Sequence, residues 1–145
     1  MNVPRKKTET PSADAQRLSK LRDALLHLHK TLLDSERVRY EKTIGVIHSP
    51  NHFLQLLTSD PWFAWLHPLS RFIVTIDEAL EEKEPLTDAM AGALVNQADK
   101  LLIAEENAQG FPGHYDFALQ NDPDVVFAHA ETIKLIGRKP PETKI

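Results

Sequence analysis

Apolar residues recur at helical spacing along almost the whole chain, and no stretch shows the every-second-residue alternation of a half-buried strand. Leu18, Leu21, Leu25, Leu32 and Ile47 hold one face, and nothing breaks that run before Gly45, so the spacing predicts one long helix over 13–47. Ser49-Pro50 restarts the chain, with an acceptor side chain at the cap and proline at the first helical position; a short helix over about 50–58 is expected. Asp60-Pro61 repeats the device. The helix it opens carries Trp62, Leu66, Leu69, Ile73, Ile76 and Leu80 on one face and runs to about Glu82. Pro68 lies beyond its first turn and should kink it, or split it at His67. Further helices are expected over about 86–105, with Met90, Leu94, Ala98 and Leu101 on one side, over about 112–120, and from Asp122-Pro123 to about Ile136. The fold class is all-α, a helical bundle of about six helices.

The pattern contains an echo. "PNHFLQLLTSDPWFAWLH" (50–67) aligns without a gap on "PGHYDFALQNDPDVVFAH" (112–129). Pro50/Pro112, His52/His114, Leu57/Leu119, Asp60/Asp122, Pro61/Pro123 and His67/His129 are identical, and Phe53/Tyr115 and Trp65/Phe127 are similar. A longer helix precedes each block. Two readings stand: two pseudo-repeated units, 13–82 and 86–137, each a long helix, a short helix and a capped helix, or two helices that look alike because Asp-Pro starts both.

Length fits one domain, with a bundle over 13–137 between a disordered basic tail, 1–12, and a flexible tail, 138–145. The absence of cysteine excludes disulfides, thiolate metal sites and cysteine nucleophiles. The formal net charge is −4; residues 1–11 and 138–145 each carry +2, which leaves −8 on the body. An acidic body argues against nucleic acid, because phosphate binding needs a basic face. The polar N-terminus has no apolar run behind it and no segment is long enough to span a membrane, so a cytoplasmic protein is the default expectation.

Catalytic signatures are missing: no phosphate loop, no dinucleotide fingerprint, no nucleophile elbow. No histidine has a glutamate three residues before it, which excludes the di-iron carboxylate bundle. His48 and His52 are four apart, but Ser49-Pro50 starts a helix between them, so they should not share a face as a metal pair. On the helical wheel His29 and Glu36 fall near the centre of the first apolar stripe with Tyr40 at its edge, His27 points to solvent, and His129 lies among Val125, Val126, Ile133 and Ile136. Buried polar groups need partners. One reading is a core network joining His129 or His29 to Glu36 or Tyr40; the sharper one is a metal or small-ligand site between helices built from His29, Glu36 and His129. "DPWFAWLHPLSRF" (60–72) concentrates both tryptophans; Trp62 and Trp65 either fill a helix junction or form a partner surface.

The stretches "LHKTLLDSERVRYE" (28–41) and "DPWFAWLHPLSRFIVTIDEAL" (60–80) resemble those of small, uncharacterised bacterial all-helical proteins over most of 18–136. The resemblance implies no activity and assigns no residue a role. Hemerythrin-like and DinB-like metal bundles are similar in architecture, but their histidine and carboxylate spacings are missing. The expectation is a non-enzymatic interaction or accessory protein without cofactor, contacting a protein partner or a second copy through the tryptophan end. The alternative is a small-ligand or metal-binding bundle.

Overall fold

The computed structural model describes residues 13–138. The tail expected over 1–12, and that over 138–145 except Arg138, lie outside the described residues. Among them the chain forms α1 (Ala13–Thr43), α2 (Pro50–Ser59), a 3-10 segment (Pro61–Leu66), α3 (His67–Leu80), α4 (Asp88–Leu101), α5 (Phe111–Asn121) and α6 (Pro123–Ile136), with no strand. None of these helices is long and apolar enough to cross a membrane.

Caps set most of the starts. The Ser49 hydroxyl accepts from His52 N–H, Asp60 from Trp62 N–H at 2.8 Å, Thr87 from Met90 N–H, and Asp122 from Asp124 N–H at 2.9 Å. Pro68 splits the third helix at His67, as expected. It has no N–H to give the Ala64 carbonyl and its ring crowds that oxygen, so His67 N–H closes on Ala64 three residues back and the first turns tighten into 3-10 geometry. α6 has no proline after Pro123 and is α-helical throughout.

The long helix stops at Thr43 rather than Ile47, because the amides of Ile44 and Gly45 both turn back onto the Tyr40 carbonyl. Ile47 is still buried, reaching the core from the connection, where its N–H is held by the Glu41 carboxylate. α4 corrects the expected wheel. It buries Ala91, Val95, Ala98 and Leu102, whereas Met90 is about half exposed. The face is turned by one residue because fully buried Ala91 and Ala98 let the helix come close to its neighbours.

α1 and α4 pack on each other, and α3 and α6 each pack against both. Leu18, Leu21, Leu25, Leu28 and Leu32 of α1, Leu69 and Ile76 of α3 and Val125 of α6 are wholly buried and form the centre of the core. α2 lies on the 3-10 segment, and α5 lies on both the 3-10 segment and α6. Two arginines tie remote helix ends. Arg17 donates to the carbonyls of Leu135 and Ile136, where Gly137, at φ 94°, closes α6. Arg138 donates to the carbonyls of Asp99 and Leu102 and to the Asp99 carboxylate, closing α4. Arg138 is therefore an anchor of the fold and not part of a flexible tail.

Candidate functional site

Glu36 points inward as the α1 periodicity requires and is only 4% exposed. The indole N–H of Trp65 donates to it at 3.1 Å, and Arg39, one turn on, donates to both carboxylate oxygens at 2.8 and 2.7 Å. The Arg39 guanidinium lies over the rings of Trp62 and Phe117, at 5.0 and 4.5 Å from their centroids. A buried carboxylate thus receives donors from two elements, which is how its charge is tolerated away from water. Around it the aromatic rings are continuous: Phe53, Phe63, Tyr40 and Trp62 on one side, Trp65, Phe111 and Tyr115 on the other.

This geometry corrects the tryptophan surface. Trp65 is 7% exposed, stacked on His114 and packed on Phe111, because α5 lies across it. Trp62 is half-buried, edge-on to Tyr40, and its indole N–H is enclosed with no acceptor among the described residues. The two residues join the helices at this junction; they do not form an open patch.

His129 and Tyr115 make a second buried polar pair, with His129 Nδ1 2.6 Å from the Tyr115 oxygen. Burial first, and the Arg138 charge second, hold the His129 ring below the usual imidazole range, while burial keeps the Tyr115 phenol protonated well above its usual range. The phenol O–H therefore donates to an unprotonated Nδ1. The network expected to join His129 or His29 to Glu36 or Tyr40 is replaced by two separate groups among the described residues: Glu36 meets Arg39 and Trp65, and His129 meets Tyr115.

His29 goes elsewhere. It lines a groove of about 400 Å³ with Leu33, Leu57, Phe63, Leu66 and His67. His29, Glu36 and His129 accordingly do not form one site, and among the described residues no group of three or more histidines or carboxylates is placed to hold a metal ion. His48 and His52 do stack, at 5.6 Å, but the His52 Nδ1 is taken by the His48 backbone N–H.

A cleft of about 600 Å³ opens between α1 and the α5–α6 corner. Val38 and Phe127 stand in it, 51% and 68% exposed, and Phe117, 45% exposed, adjoins through Arg39. Lys30, Arg39 and Lys42 face Asp34, Asp122 and Asp124 around them. The sequence reading missed this surface. Its signal was an aromatic residue on α6 away from the stripe of Val125, Ala128, Thr132 and Ile136. No family model, curated protein or solved structure matches the chain.

Proposed function

We propose that the protein is a non-enzymatic interaction protein that contacts its partner through the α1–α6 cleft, and that the partner is a second copy of the chain. The observation that carries this reading is Phe127, 68% exposed beside half-exposed Val38 in a cleft of about 600 Å³. Charge selects the occupant. The body is acidic, yet the cations and carboxylates of the cleft balance, so two bodies repel least when they meet there. A twofold interface must be its own complement, and a patch holding both signs around an apolar centre satisfies that condition. Lys42 and Asp124 have no ion-pair partner among the described residues and can pair across the axis.

The matched corners support reading 13–82 and 86–137 as copies of one unit. In that reading Phe127 occupies the position at which the first copy buries Trp65, and the second copy has kept an aromatic residue there for contact outside the chain.

Sedimentation velocity across the micromolar range tests the proposal. The expected result is a reversible dimer that Phe127→Asp abolishes with helix content unchanged, that Lys42→Glu weakens, and that Asp124→Lys added to Lys42→Glu restores. A wild-type protein that stays monomeric, or a dimer indifferent to Phe127→Asp, overturns it.

A further inference from the structure

The groove that holds His29 is a different kind of surface. It lies between α1, α2, the 3-10 segment and the start of α3, and its apolar lining is Phe63 and Leu66, both essentially inaccessible, with the partly buried Leu33 and Leu57. Its polar groups divide into those already engaged and those that are not. His67 Nε2 lies 2.9 Å from the Leu57 carbonyl and must carry a proton to bond it. The Ser70 hydroxyl donates to the His67 carbonyl, and the Thr58 hydroxyl is shared between the carbonyls of Leu54 and Gln55. His29 and Arg71 are left with unspent hydrogen-bonding capacity, and both line this groove.

Arg71 stands apart from the other arginines of the described residues. Arg22, Arg37 and Arg39 pair with carboxylates, Arg17 with helix-end carbonyls, and Arg138 with both. Arg71 has no such partner among the described residues. His29 is half-buried with no hydrogen bond to its ring among the described residues, and burial keeps that ring below the usual imidazole range. Among the described residues no aspartate or glutamate lines the groove, although the body as a whole is acidic. An unpaired guanidinium at the mouth, an imidazole with a free N–H, an apolar lining and no competing carboxylate together define a recognisable ligand chemistry.

We propose that this groove binds a small monocarboxylate with a short apolar body, the carboxylate paired with Arg71 and hydrogen-bonded by His29, the body against the partly buried Leu33 and Leu57, with Phe63 and Leu66 beneath them. Guanidinium supplies a two-pronged donor that matches a carboxylate, whereas the apolar walls give no grip to a bare inorganic anion. This site is separate from the α1–α6 cleft and does not depend on self-association.

Benzoate and hexanoate serve as probes, with benzamide and hexanamide as neutral counterparts, each titrated into the full chain and followed by NMR. The expected result is saturable shifts at His29, Leu33, Phe63 and His67 for the carboxylates. The amides bind more weakly by about tenfold or more, because a charge-assisted pair is roughly twice as strong as a neutral one. Arg71→Gln, at an exposed position, keeps the spectrum of the fold and loses binding by a similar factor; His29→Gln weakens it less. Phe127→Asp leaves it unchanged, which separates this proposal from the dimer. Absence of saturation into the millimolar range, equal binding of the amides, or binding unaffected by Arg71→Gln overturns the proposal.

Discussion

The corners at Asp60 and Asp122 begin alike and end differently. In both, an aspartate accepts from the amide two residues on and a proline sits at the first helical position. In both, the third and sixth residues after the aspartate are buried: Phe63 and Leu66 in one, Val125 and Ala128 in the other. The fifth differs: Trp65 is 7% exposed and Phe127 is 68% exposed. The helix start is not the cause. α5 lies across the first corner and covers Trp65 with Phe111 and His114, and α1 brings Glu36 to its indole. α2 makes no comparably extensive contact with α6, and among the described residues Phe127 is left open. A local device thus fixes how a helix starts, and the element across from it decides whether an off-stripe aromatic belongs to the core or to the surface.

The strongest way to break the comparison is to truncate both aromatics. Trp65→Ala removes a buried ring and one of the donors to Glu36, and should cost about 3–5 kcal/mol in urea unfolding. Phe127→Ala, measured in protein too dilute to associate, should cost less than about 0.5 kcal/mol, as surface changes do. Similar losses at the two positions would end the distinction.

A smaller effect is expected at the junction itself. Arg39→Ala takes the paired cation from Glu36, leaves that carboxylate with the Trp65 N–H, and removes the guanidinium between Trp62 and Phe117. The Arg39 side chain is 41% exposed, so water partly replaces it, and a loss of about 1–3 kcal/mol is expected. Equilibrium unfolding checks this, and a neutral result would mean that solvent already satisfies Glu36.

These elements also mark what a reader of the sequence can see. The caps at Ser49, Asp60 and Asp122 and the break at Pro68 are local chemistry, visible in adjacent letters. The inward aim of Glu36 follows from the α1 stripe. The α4 stripe read from the sequence includes Ala98 but not Ala91, because an alanine weighs little on a wheel, although these two are what lets the helices approach. Long-range partners were invisible: Arg17 reaches carbonyls 118 and 119 residues away, and Trp65 meets a carboxylate 29 residues before it. His29, Glu36 and His129 all turn at least partly inward on their helices, but they serve three different places, since a wheel gives direction and not which neighbour lies there.

The smallest expected effect lies in the histidines of the two corners, His67 and His129. His67 reaches a main-chain carbonyl, its corner having Phe53 where the other has Tyr115. Tyr115→Phe makes the second corner like the first and should cost about 1 kcal/mol near neutral pH, the net worth of one hydrogen bond. It should also change the pH response. The native pKa values of His129 and His29 are lowered below the ordinary 6.5, so the unfolded chain takes up protons first as pH falls. Their contribution to stability is complete above 6.5 and declines as pH falls below it toward the native values. The phenol O–H donating to Nδ1 favours the unprotonated ring, since an imidazolium cannot accept there, and beside burial and Arg138 it holds His129 neutral. Without the hydroxyl, His129 titrates closer to 6.5 and the decline becomes shallower. Urea unfolding of wild type and Tyr115→Phe on either side of 6.5 measures both slopes. Parallel slopes would show that Tyr115 supplies only packing, and that burial and Arg138 alone set the state of His129.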